Sequence, residues 1–253
     1  MCYDVSFKAK ASDLLKDFSG SYMHEPDNNF GPVDHVQGVA VFPKYPIVFS
    51  PREQPPFQIR KMEWGVIAYW EKEEPPFTRR NGMLNARAER ILDDQKSYWH
   101  KIRNRRCLIP VTGIFEHRRV TNLKNKVPYH VKPKDQDIFY LPGLYSVAKL
   151  PDKTTGEIVE RFTYTLITRG ANDLMALIHN DGENAGRMPL FLPKTYSDAW
   201  LKDELPDDEY RAILGYEIPS EELDYRTVYT IRSAKGRPDG MDKTAVWDWE
   251  NRF

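Results

Sequence analysis

The sequence lacks most of the features that mark secreted, membrane-spanning or metal-binding proteins. Its 253 residues contain only two cysteines, Cys2 and Cys107, which excludes a disulfide framework and a paired-cysteine metal motif. The six histidines are scattered and show no metal-ligand spacing. No apolar run approaches the roughly 18 residues of a membrane span, and no basic-then-apolar leader opens the chain. These absences predict a cytoplasmic protein with no metal, no cofactor and no membrane contact.

Charge of one sign is not in excess either, but the charges are unevenly placed. The 37 basic residues balance the 37 acidic residues. Residues 79–126 nevertheless contain thirteen basic residues against four acidic ones, while residues 198–224 are mainly acidic. A basic middle region predicts a surface that binds a polyanion. The alternative is an ordinary solvated surface with a charge dipole.

The alternation of short apolar runs with turn residues predicts one mixed α/β domain over residues 1–253. We expect a curved, barrel-like and mainly antiparallel sheet flanked by short helices. The predicted strands lie within residues 36–49 (two strands), 57–70 (a pair or bulge around Gly65), 106–115, 128–131, 139–149, 162–168, 187–192 and 228–231. The predicted helices cover residues 12–18, 85–100, 172–178, 196–202 and 207–214, and loops cover 24–33 and 71–81.

The start of the chain offers an unusual nucleophile. The sequence opens Met1-Cys2-Tyr3, and methionine aminopeptidase removes an initiator methionine that precedes a small residue. Cys2 would then carry a free α-amine, with a pKa of about 7.7–8.0, beside a thiol with a pKa of about 8.5. Such a 1,2-aminothiol forms a Schiff base with an aldehyde, and the sulfur then closes a thiazolidine ring. Taken alone, a cysteine at this position can also be a chance occurrence.

Further motifs follow Cys2 in a fixed order. They are Trp64-Gly65, NARAE at residues 85–89, GIFEH containing Glu116, and His179 followed by Arg187-Met188-Pro189. The ordered set resembles the SRAP (SOS response-associated peptidase) family, whose pattern has an N-terminal cysteine, WG, NARAE, RRCL-P--GFYEW and IH-RMP. The resemblance covers roughly residues 2–192. It implies a mixed α/β fold around a barrel-like sheet, and a protein that binds single-stranded DNA and attaches covalently to abasic sites through Cys2.

The resemblance also implies catalytic roles for Cys2, Asn85, Glu116 and His179. Glu116 would open the sugar ring and move protons as a general acid and base, and partial desolvation at the end of an apolar strand would raise its pKa. Asn85 would hold the N-terminal amine or a sugar hydroxyl, and His179 would protonate the sugar oxygen or assist reversal. The alternatives are a surface glutamate, a helix N-cap and a structural histidine.

The residues predicted to contact DNA lie in the same motifs and in the basic stretch. They are Arg87, Arg187, Met188, Pro189, Arg79, Arg80 and Trp70. Arg87 and Arg187 suit phosphates, although salt bridges to Glu89 or to the acidic segment are an alternative. Trp70 could stack on bases, as could Phe77 and Trp64, but Trp64 beside Gly65 favours a core position. Cys107 is predicted to be a buried apolar residue.

The sequence departs from the family pattern at two places. Tyr3-Asp4 stands where the family has Gly-Arg, which removes a phosphate contact and puts a negative charge near the expected DNA path. Residues 180–186 separate His179 from Arg187, which are normally two residues apart, so the placement of the histidine is open.

The leading hypothesis is therefore a DNA-damage protein, a monomer, whose partner is single-stranded DNA containing abasic sites. It would form a thiazolidine cross-link in a lyase-type reaction and would be nucleoid-associated when bound. One alternative is a cysteine peptidase that uses Cys2 with His179 and Glu116, including autocatalytic removal of Met1. Another is a non-covalent nucleic-acid-binding module in which Cys2 is incidental.

Overall fold

The strands and helices of the chain are mostly short. The computed structural model describes residues 2–18, 20–24, 30–51, 57–233 and 236–249, so Met1 and residues 25–29 of the predicted 24–33 loop lie outside the described residues. The strands are β1 (Asp4–Phe7), β2 (Tyr22–Met23), β3 (Val33–Gln37), β4 (Lys44–Phe49), β5 (Gln58–Trp64), β6 (Asn85–Arg87), β7 (Arg106–Val111), β8 (Gly113–Arg118), β9 (Val127–Pro133), β10 (Phe139–Pro151), β11 (Ile158–Gly170), β12 (Arg187–Pro189) and β13 (Leu223–Thr227). The α-helices are α1 (Leu14–Asp17), α2 (Phe77–Asn81), α3 (Tyr98–Lys101), α4 (Asp173–Ile178), α5 (Lys194–Trp200) and α6 (Asp207–Gly215). Single 3-10 turns cover Ala11–Asp13, Ala88–Arg90 and Ser220–Glu222.

Five strands close into a barrel. They follow the order β11, β10, β7, β4 and β5, and a parallel pairing of β5 with β11 closes the ring. The other pairings around the ring are antiparallel. At the closure, the buried rings of Trp64 and Tyr164 stack with centroids 5.9 Å apart. The prediction of a barrel-like, mainly antiparallel sheet is confirmed, and so is the core position of Trp64.

The second sheet is antiparallel throughout and carries the N-terminal strand, in the order β13, β9, β8, β1 and β3. The single strand predicted over residues 106–115 is wrong, because the chain leaves the barrel after β7 and enters the second sheet as β8. Thr112 makes this step, and its backbone N–H donates to the carbonyl of Ser6 at 2.8 Å. Glycine is required next, since a Cβ at Gly113 would lie 2.0 Å from Nε2 of His130. One cluster of buried apolar side chains includes residues of both sheets.

The helix predicted over residues 85–100 is wrong for most of its length. Its first residues form β6, which pairs in parallel with residues 166–168 of β11. The apolar residues Leu84, Ala86 and Ala88 recur at every second position and are all buried, and a two-residue period is that of a strand. Asn85 is therefore not a helix N-cap. Only α3 lies within the predicted helix, where Ser97 Oγ accepts a hydrogen bond from the Trp99 backbone N–H at 3.2 Å.

Several of the remaining elements agree with prediction, whereas β1, β2 and β13 were not predicted. The strands within residues 36–49, 128–131, 139–149 and 162–168 and the helices near 172–178, 196–202 and 207–214 are confirmed, and α1 is one turn inside the predicted 12–18 helix. The predicted pair around Gly65 is one strand that ends where Gly65 takes a φ of +105°. Helix α2 occupies the end of the predicted 71–81 loop, and β12 covers only the first part of residues 187–192. The strand predicted over 228–231 is a single bridge between Val228 and Val246.

Candidate active site and nucleic-acid interface

The candidate site lies where β1, β8 and β6 bring three predicted side chains together. Cys2 lies two residues before the start of β1, and β1 pairs with β8 so that Asp4 lies opposite Phe115, the neighbour of Glu116. From the start of β6, Asn85 Nδ2 donates a hydrogen bond of 3.0 Å to the carbonyl oxygen of Cys2. Cys2, Asn85 and Glu116 are all buried. The two sheets thus hold the first residues of the chain between them.

The thiol of Cys2 is held in its neutral form. Its Sγ lies 3.5 Å from the carbonyl oxygen of Asp4, to which the thiol donates. Burial, and to a lesser extent the negative charge of Glu116, raises the pKa of the Cys2 thiol well above its ordinary value. A neutral thiol is a weak nucleophile. The structure therefore favours chemistry in which the sulfur reacts second, after another group has activated the carbon.

Glu116 is a buried acid rather than a surface residue. Its side chain lies on β8 with 4% of the residue exposed, and Oε1 has no hydrogen-bond partner among the described residues. Burial, and then the charge of Asp4, raises the pKa of Glu116 to about 8. This is the direction that the sequence predicted for a carboxyl at the end of an apolar strand. Near neutral pH the group carries a proton that it can donate.

His179 keeps its place beside Arg187 despite the extra residues between them. Its Nδ1 lies 2.8 Å from the carbonyl oxygen of Arg187, so Nδ1 carries the proton and Nε2 is a proton acceptor in the neutral ring. Burial lowers the pKa of His179. The two ends of the 180–186 loop lie next to each other, because the Gly186 N–H donates to the His179 carbonyl at 2.9 Å. The insertion therefore does not separate the two motif residues.

The 180–186 loop instead forms one wall of a cavity of about 350 Å³. The residues that line this cavity are Tyr3, Asp4, Glu116, His117, Lys126, His179, Asp181, Gly182, Glu183, Asn184 and Arg232. Asp181 is anchored by Lys126 Nζ at 2.9 Å. Asn180 exchanges two hydrogen bonds, of 2.8 and 3.0 Å, with the backbone of Arg119. Glu116 and His179 thus reach one cavity, and an ordered loop defines its rim.

Arg87 and Arg187 lie close to this rim, and both already have partners. The exposed Arg87 donates to Asn184 Oδ1 at 3.3 Å. Arg187 forms a two-pronged ion pair with Glu89, at 2.6 and 3.0 Å, and also donates to the carbonyl of Thr168 at 2.8 Å. The salt bridge to Glu89 that the sequence left open is therefore present. Phosphate binding by the two arginines stays a prediction. For Arg187 it requires that a phosphate replace Glu89 as the partner of the guanidinium.

Arg80, another predicted DNA contact, is corrected because its side chain is buried. Arg80 is 5% exposed, and its guanidinium binds Glu63, Glu74 and the carbonyl of Gly65. Arg161 joins the same network, donating to Glu63 at 2.6 Å. A buried guanidinium with two carboxylate partners fixes the fold. Arg80 does not lie on a surface that DNA can reach.

Met188 and Pro189 are buried as well, so neither contacts DNA directly. Met188 Sδ accepts a hydrogen bond from the Asn172 backbone N–H at 3.3 Å, and Pro189 lies opposite Thr168 in the β11–β12 pairing. These contacts fix β12 next to β11. The two residues thereby place the carbonyl of Arg187 that orients His179.

The exposed aromatic side chains remain compatible with base stacking. Trp70 is 45% exposed and contacts Tyr69 and Tyr98 edge to face, each with ring centroids 4.9 Å apart. Lys101 Nζ lies 4.9 Å from the centre of the Trp70 ring. An aromatic cluster with a cation is the composition of a single-strand stacking platform. Arg79 and Phe77 are also exposed on the surface, and Arg79 is paired with Glu71 at 2.7 Å. Cys107 is buried, as predicted.

Sequence reasoning missed Arg232, the ion-pair partner of Asp4. Asp4 lines the cavity, is 2% exposed and accepts hydrogen bonds from His35 Nε2 at 2.8 Å and Arg232 Nε at 3.0 Å. Its position near the DNA path stays a prediction. Burial alone would raise the pKa of Asp4, but these two partners hold it below its usual value. No local motif marks Arg232, because its partner lies at the other end of the sequence.

The described residues contain neither a metal-ligand cluster nor a membrane-spanning helix. Within the described residues, no group of three or more histidine, cysteine or acidic side chains could hold a metal ion. In the same part of the chain, no helix has the length and apolar composition needed to cross a membrane.

Fold and site together are those of a β-barrel protein with a cysteine-centred site at its N-terminus. Residues 1–231 match the family model described as SOS response associated peptidase (SRAP), and the chain belongs to that family. It is similar to the abasic site processing protein YoqW of Bacillus subtilis, with 29% identity over 179 residues, covering 70% of this chain and 73% of YoqW. It is also similar to the abasic site processing protein HMCES of Gallus gallus, with 23% identity over 190 residues, covering 67% of this chain and 52% of HMCES.

A solved structure supports the same fold. A crystal structure of a protein from Bacteroides thetaiotaomicron matches with a TM-score of 0.75 and 31% identity, covering 90% of this chain and 92% of that one.

Proposed function

We propose that this protein processes abasic sites in DNA by forming a covalent thiazolidine between Cys2, freed of Met1, and the open-chain aldehyde of the abasic sugar. The observation that carries the proposal is the carboxyl of Glu116, which burial keeps protonated near neutral pH and which lines the same cavity as His179. The relatives named as abasic site processing proteins point to the same substrate. We expect a cytoplasmic monomer that acts on single-stranded DNA.

The first step is opening of the sugar, because most abasic deoxyribose is a closed hemiacetal. Opening removes the proton of the anomeric hydroxyl and delivers a proton to the ring oxygen, which yields the aldehyde. Glu116 carries a proton near pH 7, and His179 Nε2 accepts one. A neutral acid and a neutral base in one cavity suit both transfers without a buried net charge.

The amine then attacks before the thiol. The α-amine of Cys2 adds to the aldehyde carbon, Glu116 takes up the proton that the nitrogen loses, and protonated His179 returns its proton to the carbonyl oxygen, which gives a carbinolamine. Glu116, neutral again, protonates the departing hydroxyl so that water leaves, and it then takes the remaining N–H proton of the iminium to leave the imine. The Sγ–H then adds across the C=N bond, with sulfur bonding to carbon and the proton going to nitrogen. This order fits a thiol whose pKa is raised. A cysteine peptidase would need a thiolate instead, so the raised pKa of the Cys2 thiol supports cross-linking over peptidase activity.

The test is intact mass spectrometry of the protein mixed with a single-stranded oligonucleotide that contains one abasic site. We expect protein that lacks Met1 to give an adduct equal to protein plus DNA minus one water. Cys2→Ser should lose the stable adduct but keep a reducible Schiff base, and Cys107→Ala should behave as the unaltered protein, since Cys107 has no free α-amine with which to form an imine.

Two outcomes would contradict the proposal. Equal rates for protein that retains Met1 and for processed protein would exclude the free amine as the nucleophile, since an acylated nitrogen cannot form an imine. Unchanged DNA retention without any covalent mass would leave a binding module in which Cys2 has no chemical role.

A further inference from the structure

We infer that Arg232 is a phosphate-binding residue of this site and contacts a phosphate that flanks the abasic sugar. The inference rests on the proposed function, because it assigns a contact to the same substrate. Arg232 lies one residue beyond the family match, which ends at residue 231, so the family pattern does not predict it. It lines the same cavity as Glu116 and His179.

Asp4 holds the Arg232 guanidinium in place from below the surface. Arg232 Nε donates to Asp4 Oδ1 at 3.0 Å, and Nη2 donates to Oδ2. The side chain of Asp4 is 2% exposed, whereas that of Arg232 is 39% exposed. His35 binds the same carboxylate at 2.8 Å and fixes its orientation. A buried carboxylate thus orients a guanidinium that solvent still reaches.

The contact to Asp4 leaves donors for a second anion. A guanidinium has five N–H groups in a planar fork, and Asp4 uses one on Nε and one on Nη2. No other hydrogen bond of Arg232 occurs within the described residues. Both Nη1 protons and the second Nη2 proton form an edge that can bind two phosphate oxygens together.

The cavity lining holds two cationic side chains, and each is paired with an aspartate. Lys126 is paired with Asp181 at 2.9 Å, and Arg232 is paired with Asp4. Charge therefore does not distinguish the two, but only Arg232 has a planar fork with donors left for two phosphate oxygens. Asp4 stands where the family pattern has an arginine, and the guanidinium beside this position comes from the C-terminal part of the chain.

The experiment compares two aldehydes that differ only in a phosphate, 2-deoxyribose and 2-deoxyribose 5-phosphate. Their rates of adduct formation are measured by intact mass for the unaltered protein, Arg232→Gln and Arg232→Lys. We expect Arg232→Gln to react with the phosphorylated sugar roughly tenfold more slowly or worse, the loss typical of a hydrogen bond to a charged group. Its rate with unphosphorylated sugar should fall much less, because that rate reports only the effect of Arg232 on Asp4 and Glu116. Arg232→Lys should lie between the two, because it keeps the charge but loses the fork.

A second measurement uses single-stranded DNA with a tetrahydrofuran analogue of the abasic site, which binds but cannot react. Arg232→Gln should lower the slope of log affinity against log salt by about 0.7, the value for one phosphate contact on a single strand. The control is Arg211→Gln, which removes an equally charged, exposed arginine that pairs with Asp93 and does not line the cavity.

Each outcome of these measurements either supports or overturns phosphate binding by Arg232. Equal slowing of both sugars by Arg232→Gln would show that Arg232 acts on the chemistry rather than on the phosphate, and unchanged rates would remove it from the site. If Arg232→Gln does not fold, the double variant Asp4→Asn with Arg232→Gln removes both charges of the pair and serves in the same comparison. Failure of the unaltered protein to react with either sugar or with abasic DNA would overturn the proposed function instead.

Discussion

Replacing Glu116 with glutamine should stabilise the protein while slowing its reaction. Glu116 has a pKa of about 8 in the folded chain against an ordinary value of 4.5. As pH rises above 4.5, the unfolded chain releases this proton while the folded chain retains it, so the free energy of unfolding falls until about pH 8. The contribution of the protonated Glu116 to the free energy of unfolding is thus fully present below pH 4.5 and is lost as the pH rises to about 8. Glutamine has nearly the same shape and does not titrate.

The size of the effect follows from the same pKa values. A tenfold change in proton affinity is worth about 1.4 kcal/mol, so Glu116 lowers the free energy of unfolding by about 3 kcal/mol between pH 4.5 and pH 7. Glu116→Gln should gain roughly this amount at pH 7 and almost nothing at pH 4.5. Cross-linking should slow by roughly 10²- to 10⁴-fold, the range for loss of a general acid, while DNA binding should survive.

Urea unfolding followed by tryptophan fluorescence, repeated between pH 4.5 and pH 8, measures this difference. The buried histidines titrate in both proteins and cancel when one curve is subtracted from the other. Glu157→Gln is the matched control, because Glu157 is exposed and the chemical change is the same. A difference between Glu116→Gln and the unaltered protein that does not grow with pH would refute the account of a carboxyl held neutral by burial. Cross-linking at the normal rate would remove Glu116 from the mechanism.

Three further substitutions test the placement of charged side chains. Arg80→Ala should destabilise the fold by about 3–5 kcal/mol, because it leaves the carboxylate of Glu63 buried without that partner. Arg87→Ala should leave thermal stability nearly unchanged and lower the salt slope of DNA binding by about 0.7; an unchanged slope would restrict Arg87 to its contact with Asn184. His130→Gln should reduce acid sensitivity, since burial lowers the pKa of His130 to about 3, so that stability is lost as pH falls below 6.5. At pH 5 the free energy of unfolding of His130→Gln, measured by urea unfolding, should exceed that of the unaltered protein by about 2 kcal/mol. An equal loss of stability in the two proteins as pH falls would contradict this prediction.

Much of the architecture could be predicted because its signals are local. Runs of apolar residues marked most strands, and Asn172 marked the start of α4, where its side chain accepts a hydrogen bond from the Met175 backbone N–H at 2.9 Å. The segment after Asn85 failed because its helix-forming residues are overridden by pairing with β11, a contact between distant parts of the chain. The split of β7 from β8 failed for a similar reason, since the step at Thr112 depends on a bond to Ser6.

The site could be predicted from sequence to a comparable extent. Ordered motifs pointed to Cys2, Asn85, Glu116 and His179, and the structure places Asn85 and Glu116 next to the start of the chain. Motif membership could not distinguish an exposed arginine from a buried one, which is why Arg80 was misplaced. Arg232 had no sequence signal, because its role depends on an ion pair that joins the two ends of the chain.

The closed base of the 180–186 loop has a consequence for how such proteins are found and altered. Because the backbone joins across the loop between His179 and Gly186, the number of residues in the loop is independent of the geometry on either side. A pattern search that demands a fixed gap between the histidine and the arginine would therefore pass over chains whose sites are intact. The same independence makes the outer part of the loop, at Glu183, a natural position for a fluorescent label that reports what enters the cavity.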